Sequence, residues 1–460
     1  MSDSTHPQDE TYYQRVTRST EAGRTIRAYG DQHLRGYLRS LVPTEPLSDT
    51  PAAQALLQAL ADAAAAHYPP ITVRRALAEF QRRPALQLAD GADLLLDIET
   101  LLNHLTYQLA CRESGTNAMW TQQCTTVRAL RSATPLSGPA IVETDRDSWR
   151  ILPGSRNALA HSNVACLGET ALTASPLGRK TARYARLPPP ELLKPYLGQH
   201  HPRACAAILD ANRGIWSQLH LKAKKQLILL DEELSADLIA RHLRHELQPL
   251  SAIILDPRWR SVFNEVKRAA VQAPDNFILR DTTTLFRIRD GPTLRPCRLI
   301  EHSDRPAILT GTPHGPSVPL TRAALTEALD QRVLYPDLIL SYLALVVLPG
   351  VAAFGGTSQH EYLPRIERML IQAHQHGLAL PHGVAERINT ATQSRLIGPA
   401  LLDLTPRQHQ ALLALNPDTD LDEFEHEVLD RTVGEAAGGL PTLTYLDQLR
   451  TLRSPTPQPH

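Results

Sequence analysis

The sequence predicts an α/β fold: a parallel sheet with helices on both faces, a helical N-terminal region and a helical C-terminal tail. Two observations carry this. Strand-like and helix-like stretches alternate twice within short spans, and the flanks of the chain are rich in helical periodicity. A third is compositional. Aromatic residues make up only 5% of the 460 residues, so Ala and Leu must fill the core, which favours helix-rich packing.

Residues 1–83 read as a helical region. Tyr12–Leu41 has apolar residues at helical spacing, AAQALLQALADAAAAHY (Ala52–Tyr68) is a strong helix, and Ile71–Arg83 is another, with prolines between them. Residues 84–377 read as the α/β core with insertions. PALQLA is a short strand, Ile98–Ser114 a helix with Asp97 as N-cap and Gly115 as stop, and Thr116–Gln123 a second strand. Strand, helix and strand in so short a span is the mark of a βαβ unit. QLILLDEE (Gln226–Glu233), the helix Ser235–Leu247 and SAIILDP (Ser251–Pro257) repeat that layout. Two such units define a Rossmann-like sheet. Between them PAIVET, SWRIL and NVACLG read as strand pieces. Asn276–Gly291 alternates as a hairpin, with RPAILTG (Arg305–Gly311) near it. The least polar segment, Leu338–Val347, is expected as a buried helix leading into a strand at Gly350–Phe354 and a long helix to His376. Residues 378–460 form the helical tail, with helix starts at Thr405-Pro406 and Asp420 and a disordered end.

Charge and cysteine usage exclude several classes. The 48 basic and 48 acidic residues balance, so no basic excess exists to hold a nucleic acid. All but six of the basic residues are arginines, so an anion clamp would be built from guanidinium forks. Cys111, Cys124, Cys166, Cys205 and Cys297 are scattered and odd in number, which suits reduced thiols in the cytoplasm rather than a zinc or disulfide framework. The polar start is no signal peptide, and Leu338–Phe354 is interrupted by Pro349 and Gly350, so no membrane span is expected.

Three places can carry chemistry. In GVAAFGGTSQHEYLP (Gly350–Pro364), Gly355 and Gly356 permit positive φ and close backbone approach, and Ser358 and Glu361 have capping-box spacing. A helix N-terminus would then point out of a sheet end, with Gln359 and His360 on its first turn, a place suited to a carboxylate or phosphate. An ordinary capped turn would read the same. In QLADGADLLLD (Gln87–Asp97), Asp90 and Asp93 lie beyond a parallel strand, where open sheets bind ligands, although Asp90-Gly91 also makes a plain turn. In TQQCTTVR (Thr121–Arg128), Gln122, Gln123 and Cys124 end the next strand. Cys124 is either a nucleophile or a small site-lining residue. His242-x-x-His245-Glu246 reads as a solvated helix face, and no metal site is expected. Neither standard phosphate loop occurs.

The segment Tyr335–Pro364 resembles a stretch of the bacillithiol-synthesis cysteine ligases, matching at Pro349, Ala352, Gly355, Gly356, Glu361 and Tyr362. The glutamate follows the glycines more closely in that family. Leu86–Glu113 sits where the family has a Gln- and Gly-rich ligand loop, here replaced by DGADLLLD. The resemblance covers about a third of the chain. It implies a Rossmann-like core, a helical insertion, a C-terminal coiled coil that makes a homodimer, and joining of an amino-acid carboxylate to an amine. The expected function is therefore a small-molecule biosynthetic enzyme forming an amide-type C–N bond. The Gly355–Gly356 turn would bind an anion, Asp90, Asp93, Gln122 and Gln123 the partner, and Glu361 would be a cap or general base. A carboxylate must be activated before an amine attacks it, so ATP is a reasonable cofactor for this reading, and no metal is expected. The alternatives are a nucleotide- or sugar-dependent transferase, or a catalytically silent subunit of a biosynthetic complex.

Overall fold

A computed structural model describes residues 20–88, 92–133, 136–143, 148–177, 191–219, 221, 223–272, 285–302, 306–390, 394–402 and 428–437. Its centre is a five-stranded, fully parallel sheet. The strands are β1 (Ala85–Leu88), β2 (Ala118–Gln123), β3 (Gln226–Asp231), β4 (Ala352–Gly355) and β5 (Ser394–Leu396), in the spatial order β3-β2-β1-β4-β5. The order reverses between β1 and β4, where Ala85 pairs with Ala352 and Gln87 with Phe354.

Alternation along the strands sends side chains to two separate cores. Ala85, Met119, Leu227, Leu229 and Phe354 join one cluster. It is covered by helices α1 (Glu21–Tyr29), α2 (Leu34–Leu41), α5 (Ile98–Ser114) and α6 (Ala204–Gln218). Leu86, Trp120, Ile228, Leu230 and Ala353 join the other, covered by α3 (Pro51–Ala65), α4 (Pro70–Arg82), α7 (Glu233–Arg244) and α8 (Thr357–Gln375). Burying a side chain such as Leu86 or Ile228 contributes about 1.5–3 kcal/mol each. The α5 caps follow the sequence: Asp97 Oδ1 accepts from Thr100 N at 3.0 Å, and Gly115 takes the left-handed conformation at φ 75°. Tyr107 on α5 ties this layer to the sheet, donating to Ala85 O at 3.0 Å with its ring 4.4 Å from that of Phe354.

Several local expectations are corrected. SAIILDP is not a strand. Leu250–Leu255 is a helix, and β3 is the sheet edge, so β3 and this segment form no βαβ unit. A short apolar run reads alike in a strand and a buried helix. Asp256 accepts from Arg258 N at 2.8 Å, starting the next helix at Pro257. NVACLG is a single 3₁₀ turn at Val164–Cys166, closed by Cys166 N donating to Asn163 O at 2.9 Å. The helical spacing of Tyr12–Leu41 resolves, over its described part, into two helices, Glu21–Tyr29 and Leu34–Leu41. Phe286–Asp290, Thr293–Pro296 and Leu334–Pro336 make a three-stranded antiparallel sheet, and Arg298–Ile300, Ile308–Thr310 and Ser317–Pro319 another. The helix starts at Thr405-Pro406 and Asp420 lie outside the described residues.

The apolar helix is also irregular. Asp337 caps a helical stretch, Leu338–Tyr342, accepting from Leu340 N at 3.0 Å. Leu343–Val347 then widens to i→i+5 hydrogen bonds, Leu348 N to Leu343 O and Val351 N to Val346 O, both 3.0 Å. Such widened turns collect at functional sites. The chain leaves it at Gly350, whose φ of 81° supplies the left-handed residue. Neither Gly355 nor Gly356 has positive φ.

Candidate functional site

A cavity of about 230 Å³ lies at the carboxyl ends of β1, β2 and β3, beside the reversal of strand order. Open α/β sheets bind ligands at this place. It is lined by Leu88, Gln122, Cys124 and Thr126 from the β1 and β2 ends, Glu232 after β3, Arg287, Asp337, Ser341, Tyr342 and Leu345 from the insertion and the apolar helix, and Gln359, Tyr362 and Leu363 from α8.

Each polar group is held by a distinct element. Gln122 at the end of β2 donates to Ser235 Oγ on α7 at 2.6 Å. Glu232, directly after β3, accepts from Thr126 N at 2.7 Å and from Thr126 Oγ1 at 3.1 Å. Burial pushes its carboxyl pKa up, against the lowering effects of Thr126, Cys124 and Arg287. Asp337 is half-buried, lines the cavity, and accepts from Leu340 N. Its enclosure likewise raises its pKa, while Lys267 and Arg287 act to lower it. Arg287 donates to Thr126 O at 3.3 Å, and its charge acts on both the buried Glu232 and the half-buried Asp337. Ser341 is 6% exposed, lines the cavity, and its Oγ has no hydrogen-bond partner. An unsatisfied buried hydroxyl next to open space is an invitation to a polar ligand atom.

The glycine pair has a steric rather than a dihedral purpose. A Cβ on Gly355 would stand 2.2 Å from Gln359 Oε1. Without it, Gln359 folds back over the strand and donates to Leu88 O at 2.8 Å, joining the ends of β1 and α8 across the reversal. Gly356 is the N-cap of α8 and offers no side chain. Ser358 lies inside α8 rather than at its N-cap position, and Glu361 caps a different helix: its Oε1 accepts from Ala22 N at 2.8 Å at the start of α1.

The residues singled out in the sequence thus separate. Gln122, Cys124 and Gln359 line the cavity. Asp93 and Gln123 meet each other instead, with Gln123 Nε2 and Asn212 Nδ2 both donating to Asp93 O at 3.0 Å. Burial raises the Asp93 carboxyl to about 7 despite Arg131 at 2.9 Å. His360 is buried between Thr25 Oγ1 (2.8 Å) and Ser394 Oγ (3.3 Å), and burial lowers its pKa to about 4. Asp90 lies outside the described residues, as does the side chain of Ser358. Cys124 is the one thiol of the five that is not fully buried. Burial and then Glu232 hold its pKa well above the ordinary range, which disfavours the thiolate where it lines the cavity. His242 is fully buried, not on a solvated face. Among the described residues no three His, Cys, Asp or Glu side chains are grouped to hold a metal, and no helix is long and apolar enough to cross a membrane.

Glu232, Arg287, Asp337 and Ser341 were not selected from the sequence. The acids ending QLILLDEE were a usable signal for Glu232. The other three arrive from antiparallel and helical insertions with no local motif. No family model, curated protein or solved structure matches the chain.

Proposed function

We propose that the sheet is a Rossmann-like core and that the cavity at its switch point binds a small molecule bearing both an amine and a carboxylate, which the protein joins through an amide-type C–N bond. Strand order β3-β2-β1-β4-β5 supports the fold reading. One observation carries the ligand class: a buried carboxylate (Glu232), a half-buried one (Asp337) and one guanidinium line a cavity that also holds an unpartnered hydroxyl. An ammonium matches Glu232 and Asp337, a carboxylate matches Arg287 as a fork, and Ser341 Oγ finds its partner in either. The volume lies below the ~300–1,000 Å³ of drug-sized sites, so the cavity fits an amino-acid-sized metabolite.

For amide formation the amine must lose a proton before it attacks. A buried carboxylate whose pKa is raised is suited to take it, and Glu232 is the group in that position. The acyl partner must carry a leaving group, for which ATP is the proposed source. The five cysteines are free thiols, which suits a cytoplasmic protein, and a homodimer is the proposed assembly. The second reading is a binding subunit without chemistry. It is favoured by the burial and the nearby Glu232 that disfavour a Cys124 thiolate, and by Thr126 already occupying both oxygens of Glu232.

Calorimetric titration of the full chain with an amino-acid panel tests the ligand class. Saturable binding that falls about tenfold or more in Glu232→Gln is the expected result. A panel with no binder removes the proposal. Incubation with the bound amino acid, ATP and an amine library then separates ligase from silent subunit by whether an amide product and adenylate or phosphate accumulate.

A further inference from the structure

The turn Thr126–Arg128 gathers arginines, and among the described residues one of them is left without an opposite charge. Arg287 lines the cavity and bonds Thr126 O. Arg128, two residues on, forms an isolated antiparallel bridge with Asn163. Asn163 donates to Thr126 O at 2.5 Å and accepts from Leu294 N at 2.8 Å, which fixes the antiparallel strands of Phe286–Pro296 against the turn. Those strands bring Arg295, opposite Ile288.

Two of the three guanidiniums are compensated. Arg287 faces Glu232 and Asp337, and Arg295 donates to Asp290 at 2.6 Å. The Arg128 side chain makes no ion pair or hydrogen bond among the described residues, and its Nη1 is buried without a partner. Burial, Arg295 and Arg287 all disfavour its charge. Guanidinium does not deprotonate to relieve this, so the free protein carries a half-buried, repelled cation with one nitrogen sealed from water and unpaired among the described residues. A bound oxyanion reverses the sign of the repulsion and supplies the missing acceptor, and the planar fork of Arg binds such groups with two parallel bonds.

We propose that Arg128, with Arg287 and Arg295 beside it, is an oxyanion subsite on the Thr126 side of the cavity, taking a phosphoryl or dicarboxylate group of a second substrate. The proposal rests on the reading of the cavity as a substrate site. It places the strong anion contact on the insertion rather than at the start of α8.

The test is titration of the full chain at low ionic strength with inorganic phosphate and, separately, malonate, read by calorimetry and by ³¹P line broadening for phosphate. Saturable binding of at least one is expected, about tenfold or more weaker in Arg128→Gln and partly restored in Arg128→Lys. Preference for phosphate assigns a phosphoryl group, preference for malonate a dicarboxylate. Urea denaturation serves as the control: Arg128→Gln keeps or raises the midpoint, since it removes an uncompensated cation. The proposal is overturned if the natural chain shows no saturable binding of either anion. It is equally overturned if Arg128→Gln binds as tightly as the natural chain, or lowers the midpoint without changing anion binding, which marks a structural role. The amino-acid titration is separate: amine binding without anion binding removes only this subsite, and anion binding that depends on Arg128 without amine binding removes only the earlier reading.

Discussion

His242 offers a quantitative test of the packing between α7 and its neighbours. Its ring is fully buried and neither nitrogen has a partner. Burial lowers its pKa from 6.5 to about 4. The folded protein therefore keeps the ring neutral where the unfolded chain would protonate it. The sign follows: the contribution to stability is fully present above pH 6.5 and is lost as pH falls toward 4. A shift of about 2.5 units corresponds to about 3 kcal/mol over that window, of which about 2 kcal/mol is gone by pH 5. His242→Met removes the titration and also removes two unsatisfied buried nitrogens. That second change is worth about 1–3 kcal/mol in favour of the variant, reduced by any misfit of the thioether. Urea denaturation followed by circular dichroism at pH 7.5, 6 and 5 gives both terms. The variant should be as stable as the natural chain or more so at pH 7.5, and should gain about 2 kcal/mol on it by pH 5. The difference between the two chains is the right quantity, because Glu232 and Asp337 have raised pKa values and act in the opposite direction, losing stability as pH rises. Stability curves that run parallel within about 0.5 kcal/mol would refute the reasoning and mean that the ring is solvated or bonded.

Two further outcomes follow from the helix after the glycine pair. Gly355→Ala forces Gln359 off Leu88 O, because the new methyl would stand 2.8 Å from Gln359 Cβ as well as 2.2 Å from its Oε1; a loss of about 1–3 kcal/mol and weaker ligand binding are expected, and an unchanged denaturation midpoint would contradict it. Glu361→Ala leaves Ala22 N without its acceptor and should free α1, so timed trypsin digestion should cut at Arg24 and Arg27 sooner than in the natural chain, with no change in rate counting against the cap.

The half of the sheet written locally was legible. β1, α5 and β2 follow one another with a capping aspartate and a terminating glycine, and the chain order of these elements is also their spatial order. The pairing of β1 with β4 was not legible, because it depends on residues far apart in the chain. The site divides in the same way. Gln122, Cys124 and Gln359 sit at strand ends or helix starts, where position alone implies access to the cavity. Arg287 and Asp337 come from the flanks of an antiparallel excursion, and nothing in their neighbours distinguishes them from surface charges. Glu361 shows the opposite error: its spacing from Ser358 fitted a local cap, but tertiary structure gave it a more distant donor.

The pairing of β1 with β4 also bears on how the molecule is made. The central strand leaves the ribosome early, yet Ala85 can find its partner only after Ala352 has been synthesised. The helix after β4 then takes hold of α1, and the segment after α1 holds a late stretch of the chain. Glu361 holds α1, and the backbone of Gly30, Gln32 and Leu34 bonds Gly434, Val433 and Arg431. Nascent chains shorter than this must therefore expose one edge of β1 and the apolar faces of the early helices. Such intermediates are slow to resolve and prone to aggregate, so yield should depend on the rate of translation and on chaperone capacity more than on the stability of the finished protein.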